Sequence, residues 1–392
     1  MPPPPATPSL TAALLPRGRL RRGFNSGGSV ILLVLVMLFF ASLALSRFIE
    51  KAGVELLAEV RAADQNRLRA DAYSALEVTL AVLAEFMEVD GGLYAPAQGW
   101  DQPLDYAGYT PRHGVTVAIA YEDESGRISL PRLNQTTMQV MLESFGVPQR
   151  DAERITDALM AWMRPNYVAA SFDTDPHVYE SADPAYQPPQ RSLRSFHELA
   201  AIAVARDYFY DQDGEPTGLW RTFADNVSLY DFAGANLNAA RPATMAIAGF
   251  DSSQAGLINS YLTGQQGPRA PGVPPYFRSL NEALGLLGPS APGSSLDVQI
   301  RALRINITVQ EGAASFRVSA VVAPPGGATA VGPVPPPSAP PPASSPVPAA
   351  ASPANAVSEP SAPIKLNYPF KILEIQEDAD RPLSLPTESP AL

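Results

Sequence analysis

The longest uninterrupted apolar run in the chain extends from Val30 to Leu45. At a rise of 1.5 Å per helical residue this run is about 24 Å long, and a few more helical residues reach the ~30 Å of bilayer hydrocarbon. Four arginines precede the run, whereas Arg47 and Lys51 are the basic residues close behind it. This charge bias predicts a membrane span over 29–49, with the N-terminus cytoplasmic and the bulk of the chain outside the cytoplasm.

The apolar pattern continues as an amphipathic stretch up to about Glu88, with no helix terminator between the two parts. Apolar residues recur at three- and four-residue spacing and charged residues occupy the other faces, which predicts one helix of about 55 to 60 residues. Gly91-Gly92 ends it. The apolar positions are Leu56, Leu57, Val60, Leu68, Ala72, Ala75, Leu76, Leu80 and Leu83.

Three interpretations of the N-terminal segment remain open on sequence alone. It could be a signal peptide cut near Ala44-Leu45-Ser46, or an anchor that is never cut. The third is a cut on the cytoplasmic side of the helix, which removes a basic leader and keeps the anchor, as in type IV prepilin-like leaders. Glycine placement favours the third, because the basic stretch ends in Gly23-Phe24 and again in Gly28-Ser29. We predict cleavage at Gly28-Ser29, or else at Gly23-Phe24, so that 1–28 is a leader.

Period-two alternation marks the candidate strands. Apolar and polar residues alternate over 114–121, residues 122–126 resemble a turn, and residues 127–130 resemble a second strand. This pattern predicts a hairpin. Alternation reappears over 296–309, 315–322 and 368–375. The tract 323–363 is rich in Pro, Ala, Ser and Gly and is predicted to be a disordered loop, because it has too few large apolar side chains to offset its ordering entropy.

Helical patterns fill the region between these strands, and they contain an internal repeat. Gly146 and Gly249 each separate two short apolar helices, with Leu133-Asn134 before the first unit and Leu237-Asn238 before the second. A left-handed glycine between two helices explains the spacing. Further helices are predicted to begin at two Ser-x-x-Glu capping boxes, Ser195 to Glu198 and Ser279 to Glu282.

Together these elements predict an α+β fold. A long N-terminal transmembrane and amphipathic helix packs on an antiparallel, pilin-like sheet, and a large all-α domain is inserted between strands. The predicted parts are 50–130 for the helix and first strands, 131–290 for the inserted domain with two helix-turn-helix-like repeats, 291–322 and 364–378 for the remaining strands, and 379–392 for a loose tail. A strand beyond the 323–363 tract implies that this tract is a long loop returning the chain to the same sheet.

Composition excludes several kinds of function. The 392 residues contain no cysteine and three histidines, which excludes disulfides and thiolate sites and disfavours a histidine-rich metal site. A net charge of -11 disfavours nucleic-acid binding. The glycine turns at 146 and 249 lack the lysines of a phosphate-binding helical hairpin. Neither Gly-x-Ser-x-Gly nor His-Glu-x-x-His occurs, so the chain is not predicted to be an enzyme.

Several short motifs, in this order and spacing, resemble one family. They are the basic leader with Gly before an apolar helix, Arg69–Glu77, Asp123–Leu130, Leu133–Thr136, the Ser195–Glu198 helix start, Asn236–Ala240 and Phe370–Ile375. The chain is similar to the minor pseudopilin K of type II secretion systems from about Arg21 onwards. The resemblance implies a non-enzymatic subunit, anchored in the bacterial inner membrane, that caps the tip of a short periplasmic pseudopilus and functions in assembly initiation and protein export.

The same resemblance implies partners and processing. Prepilin peptidase would cut the leader and methylate the new N-terminus, and the minor pseudopilins I and J and other pseudopilins would be neighbours. Members of this family typically lack the acid found at the fifth mature position of most pilins. Here that position is Leu33 or Gly28, depending on the cut. A single-pass periplasmic adaptor or scaffold that does not assemble into a pilus is the alternative.

Calcium is the one cofactor that the resemblance suggests. The acidic run that the family carries after a Trp is missing, because Trp162 is followed by Met163-Arg164-Pro165-Asn166. Acids nearby could regroup into an oxygen site: Asp173, Asp175, Glu180 and Asp183, or Asp211 and Asp213. Neither stretch completes a recognised calcium loop, and solvated acidic turns are the interpretation that we favour.

Overall fold

The computed structural model describes residues 26–170, 174, 177–265, 269, 272–288, 296–331 and 369–377. The chain divides into two units, Met1–Asp64 and Gln65–Leu392. The predicted leader up to residue 25, most of the predicted loop and the predicted tail lie outside the described residues.

The α-helices are α1 (Ser26–Asp90), α2 (Pro103–Tyr106), α3 (Gln135–Ser144), α4 (Gln149–Met163), α5 (His177–Glu180), α6 (Ala203–Phe209), α7 (Gly218–Asn226), α8 (Pro242–Ile247), α9 (Ser252–Leu262) and α10 (Leu280–Leu287). Short 3-10 helices cover Pro96–Gln98, Glu124–Gly126, Leu130–Arg132 and Phe196–Ala201. The strands are β1 (Val115–Asp123), β2 (Ile128–Ser129), β3 (Val227–Ser228), β4 (Ala235–Asn236), β5 (Leu296–Asp297), β6 (Leu303–Glu311), β7 (Ala314–Ala323) and β8 (Lys371–Glu377).

Helix α1 is the long helix that the apolar pattern predicts, and it runs for 65 residues. It ends where expected, because Gly91 adopts a left-handed φ of 73° that stops helical propagation. Within the second unit, one face of the helix carries apolar side chains that are buried in the core. These are Leu68, Ala72, Ala75, Leu76, Leu80 and Leu83.

A four-stranded antiparallel sheet forms the other half of this core, with strand order β1-β6-β7-β8. Alternate side chains of β6 and β7, such as Ile305, Ile307 and Val318, join the α1 residues in one apolar cluster. The helical region lies between β1 and β6 in sequence. The predicted α+β fold, with a helix on an antiparallel sheet and a helical insertion between strands, is therefore confirmed.

The last strand also confirms the predicted return of the chain. Strand β8 pairs antiparallel with β7, from Ala323 opposite Lys371 to Val318 opposite Glu377. The predicted disordered loop begins too early, however. Ala323 belongs to β7, and Ala328 is buried. Residues 332–368 lie outside the described residues, so the rest of the loop stays a prediction.

The inserted helices have cores of their own. One cluster gathers α3, α4, α6 and α7, and a second gathers α8, α9 and α10 with Leu237 and Phe277. Gly146 and Gly249 have φ values of 86° and 91°, so both turns between the paired helices use the left-handed glycine that the repeat predicts. The finer domain boundaries stay a prediction.

Both predicted capping boxes form in a modified way. Ser279 Oγ accepts the N–H of Glu282 (3.3 Å), while Glu282 accepts the N–H of Arg278 (2.8 Å) rather than that of Ser279 itself. Ser195 Oγ accepts the N–H of His197 (3.2 Å), and Glu198 reaches back to the N–H of residue 194. The serines therefore start helices as predicted, at residues 280 and 196.

The predicted hairpin between 114–121 and 127–130 is wrong. Strand β1 pairs over nine residues with β6, and β2 pairs parallel with β3. The physical reason is the 3-10 turn at Glu124–Gly126, in which the Asp123 side chain accepts the N–H of Ser125 (2.8 Å) and turns the chain away from the sheet. Ile128 then enters the core of the helical region.

Two smaller predictions are also wrong. The strand predicted over 296–309 is split into β5 and β6, because the Asp297 carboxylate accepts the N–H of Val298 (2.7 Å) and bends the chain. The region 131–290, predicted to lack strands, contains β3 and β4. Each has two residues, which is too short for alternation to be visible in a sequence.

Candidate functional site

The first unit contains the segment that could enter a membrane. By length and composition, the 27 residues Val30–Leu56 are apolar enough to cross a bilayer, with a mean hydropathy of 2.5 over an 18-residue window, and the large apolar side chains from Val30 to Phe40 are exposed. It is the one such helix in the described ranges. It extends further than the predicted span of 29–49. A segment of this kind is suited to a single-pass anchor.

The predicted cleavage sites lie at the start of this helix. Gly23 and Phe24 are outside the described residues, whereas Gly28 and Ser29 lie in the first turn of α1. A cut between Gly28 and Ser29 would leave a mature chain that begins one residue before the apolar run. Both cleavage sites stay predictions.

The residues predicted to bind calcium are not brought together where they are described. Asp173 and Asp175 lie outside the described residues, and Glu180 is the last residue of α5. Asp211 Oδ1 accepts the N–H groups of Asp213 (3.0 Å) and Glu215 (2.9 Å), which is an Asx turn. Among the described residues no three His, Cys, Asp or Glu side chains could hold a metal ion together. Asp183 is therefore not part of such a group among the described residues, and calcium binding stays a prediction.

The loop after α4 is instead organised by a carboxylate that the sequence pattern did not reveal. Asp157 is buried, and it accepts the hydroxyl of Tyr167 (2.8 Å) and the N–H of Ala170 (2.9 Å). Burial raises the pKa of Tyr167, and the bond to Asp157 raises it further. The sequence signal was weak, because an acid on α4 reads as part of a solvated helix face.

The most unusual site in the second unit is a buried charged junction, which consists of Asp123, Glu124, Arg127, Asn236 and Arg304. The Glu124 residue is 1% exposed. Its Oε1 accepts a hydrogen bond from Arg304 Nε (2.8 Å) and its Oε2 accepts one from Arg127 Nη1 (3.1 Å). One carboxylate therefore joins the turn after β1 to the middle strand β6.

Electrostatics keep Glu124 ionised in spite of its burial. Burial alone would raise its pKa, but the charges of Arg127 and Arg304 outweigh that effect, and the pKa of Glu124 is lowered. Arg304 is buried too, and its pKa is raised by the nearby acids. Each charge in this group depends on the others, because a lone ion at this depth would be strongly destabilising.

Asp123 connects the junction to the Asn236–Ala240 motif, which precedes the helical repeat around Gly249. Its Oδ2 accepts a hydrogen bond from Asn236 Nδ2 (2.7 Å), and the same amide donates to the carbonyl of Tyr94 (3.0 Å). Ser125 Oγ accepts the N–H of Arg301 (2.8 Å) beside it. Two of the motifs on which the sequence resemblance depends, Asp123–Leu130 and Asn236–Ala240, are thus in direct contact.

Gly126 makes this contact close. Its carbonyl accepts hydrogen bonds from Thr244 Oγ1 (3.0 Å) and from the N–H of Arg241 (3.2 Å). A Cβ added at Gly126 would lie 2.3 Å from the carbonyl oxygen of Ala239. A side chain at this position has no room, so the glycine is required by packing rather than by its backbone angles.

The junction is built to hold segments of the chain together. Each carboxylate oxygen of Asp123 and Glu124 accepts a hydrogen bond from the protein. The site therefore fixes the turn after β1, strand β6 and the Asn236 motif relative to one another. The sequence predicted a turn at 122–126 and missed Arg304. The sequence signal for Arg304 was a charged residue inside an otherwise apolar strand pattern, because a buried arginine requires a buried acidic partner.

The Asp123 carboxylate should make stability depend on pH. Burial raises the pKa of Asp123 from 3.8 to about 6, so the folded chain binds this proton more tightly than the unfolded chain. The resulting stabilisation is complete below pH 3.8 and is lost as the pH rises through about 6. We expect this group to lower the free energy of unfolding by about 1 kcal/mol between pH 5 and pH 7.

Urea unfolding of the full chain in detergent at these two pH values tests this expectation. Asp123→Asn should remove this part of the pH dependence, whereas Asp213→Asn, at an exposed position, should keep it. An Asp123→Asn variant whose pH dependence equals that of the unmodified chain would contradict the assignment.

Comparison with known proteins finds a similarity over the part of the chain that begins at the junction. Residues 123–212 match the family model for the type II secretion system (T2SS), protein K. Among solved structures, the chain is similar to a chain of the GspK-GspI-GspJ complex from the type 2 secretion system of enterotoxigenic Escherichia coli. The identity is 12%, the similarity covers 69% of this chain and 97% of the other, and the TM-score is 0.48. No curated protein matches.

The family match begins at Asp123, so it includes Glu124 and Arg127 of the junction as well as the first helical unit. Over residues 123–212, the chain is therefore similar to type II secretion system protein K.

Proposed function

We propose that this chain is the minor pseudopilin at the tip of a type II secretion pseudopilus, where it functions in assembly initiation and protein export. The observation that carries the proposal is the match of residues 123–212 to protein K. The architecture supports it, because an apolar helix continuous with a helix on an antiparallel sheet is suited to a subunit that leaves the membrane and joins a filament.

The mature N-terminus supports the tip position. The fifth mature residue is Leu33 after a cut at Gly28-Ser29, or Gly28 after a cut at Gly23-Phe24. Neither carries a carboxylate that could pair with the charged N-terminus of a neighbouring subunit. A subunit without that acid is suited to the end of a filament, where no further subunit has to be added above it.

The proposed surroundings follow from this role. The anchor lies in the bacterial inner membrane with its N-terminus in the cytoplasm, and the second unit lies in the periplasm. The minor pseudopilins I and J and other pseudopilins are its neighbours, and prepilin peptidase processes it. The chain acts as a structural component and not as an enzyme.

Processing gives the most direct test. When the full chain is co-expressed with a prepilin peptidase, we expect intact-mass measurement to show loss of residues 1–28, or of 1–23, together with one added methyl group. Omission of the peptidase is the control. An uncut chain would instead support a single-pass periplasmic adaptor, and a cut after Ser46 would indicate a signal peptide; both outcomes contradict the proposal.

A further inference from the structure

The two edges of the four-stranded sheet differ in how well they are protected. Strand β8 is interrupted by a register shift opposite Val321 and Val322 and carries Lys371, Glu374 and Glu377. Charges and bulges of this kind prevent strand pairing at an edge. Strand β1 pairs with β6 in unbroken register over nine residues, and Val115–Tyr121 contains no charged residue. The β1 edge therefore lacks the usual protection.

The backbone of β1 also presents unused hydrogen-bonding groups. In an antiparallel pair, alternate residues point their N–H and C=O groups to the partner strand. The N–H of Glu124 bonds to the carbonyl of Ala302, in line with the β1–β6 register, so the even-numbered residues face β6. The groups of Val117, Ile119 and Tyr121 point away from the sheet. They make no hydrogen bond to a described residue.

The side chains along this edge indicate what could pair with it. Thr116, Ala118 and Ala120 are small and exposed on the face away from α1, while Val117 and Ile119 are half-buried on the other face. The uncharged stretch lies between Arg112 and Glu122, whose side chains are 43% and 31% exposed. Both residues already form ion pairs within the chain, Arg112 with Asp71 and Glu311, and Glu122 with Arg127 and Arg241. A complementary strand is therefore antiparallel and uncharged opposite Val115–Tyr121.

A second copy of this chain does not meet the geometric requirement. Antiparallel pairing of β1 with β1 relates the two copies by a two-fold axis perpendicular to the sheet. Residues 65–90 of α1 would then run in opposite directions in the two copies. In the proposed pseudopilus, neighbouring subunits have these helices parallel. A neighbour with a parallel helix can offer only a strand from the opposite edge of its own sheet.

We propose that the outward edge of β1 pairs with an edge strand of a neighbouring minor pseudopilin. This inference rests on the proposed function and identifies the surface through which the partner binds. Backbone hydrogen bonds would supply affinity, and the alternating side chains at 116–120 would supply specificity.

Photo-cross-linking of the full chain tests the proposal. Because the chain has no cysteine, single Ala118→Cys and Arg317→Cys variants can each be labelled with a benzophenone maleimide. Ala118, Thr308 and Arg317 form one cross-strand row on the same face, so position 317 is a matched control two strands in from the edge. With the minor pseudopilins I and J of the same system co-expressed, we expect at least about tenfold more partner cross-linking from 118 than from 317.

The outcomes separate the two proposals. If the unlabelled chain co-purifies with the pseudopilins but position 118 cross-links no better than 317, or cross-links to a second copy of this chain, edge pairing is wrong and the proposed function stands. If the unlabelled chain forms no complex, the proposed function itself fails. As a second variant, Val117→Pro removes one outward N–H and keeps the bonds to β6. It should reduce co-purified partner about tenfold, and a melting curve measured beside that of the unmodified chain checks that the fold is retained.

Discussion

Replacement of Glu124 by glutamine is expected to lower the free energy of unfolding by about 3–5 kcal/mol. The side chain keeps its size, but Arg304 loses its hydrogen-bonded carboxylate and keeps only the more distant one of Glu374 (3.9 Å), and Arg127 loses one of two. Both arginines are about 5% exposed, so water cannot replace the missing charge. The loss should therefore exceed that of any exposed ion pair on the molecule, for which about 0–1 kcal/mol is typical.

Urea unfolding of the detergent-solubilised full chain, followed by tryptophan fluorescence, measures this effect. Glu143→Gln, at an exposed position on α3, is the matched control and should stay within about 0.5 kcal/mol of the unmodified chain. Combining Glu124→Gln with Arg304→Met should recover part of the loss, because an apolar side chain needs no counter-charge. Equal stability of Glu124→Gln and Glu143→Gln would show that the junction is not held by charge.

The parts of the fold that the sequence predicted are those in which a periodic pattern is long. The apolar spacing along α1 and the alternation over 114–121 and 315–322 cover enough residues to distinguish helix from strand. The turn glycines at 146 and 249 were also predictable, because a left-handed residue between two helices favours glycine. The pairing of β8 with the same sheet was also predictable, because its apolar residues would otherwise have no core to join.

The parts that the sequence could not predict depend on contacts between distant residues. Strand β1 could pair with the residues that follow it or with β6. The turn at Glu124–Gly126 decides between these two pairings. That turn is stable because Glu124 is bonded to Arg304, far away in sequence. From local composition alone, residues 122–126 resemble an ordinary acidic turn. The functional motifs were recognisable in order and spacing, but their mutual contact through Asp123 and Asn236 was not.

The interpretation of Gly126 as a contact point between the two motifs leads to the second large effect. Gly126→Ala adds a methyl group 2.3 Å from the carbonyl oxygen of Ala239 and 2.7 Å from its carbonyl carbon. These are backbone atoms, so relief requires the Asn236–Ala240 segment to move and to strain the hydrogen bonds of Arg241 and Thr244 to residue 126. We expect a loss of about 1–3 kcal/mol in the free energy of unfolding.

Gly256→Ala is the matched control for this substitution. Gly256 lies inside α9 with nothing within 4 Å of the added Cβ, so alanine should stabilise the helix by about 0.5–1 kcal/mol. The two glycine-to-alanine changes should therefore shift the urea midpoint in opposite directions. A Gly126→Ala variant as stable as the unmodified chain would mean that the Asn236 motif does not approach the turn this closely. In that case the junction would join the turn to β6 alone, and the second helical unit would be held by its own apolar core.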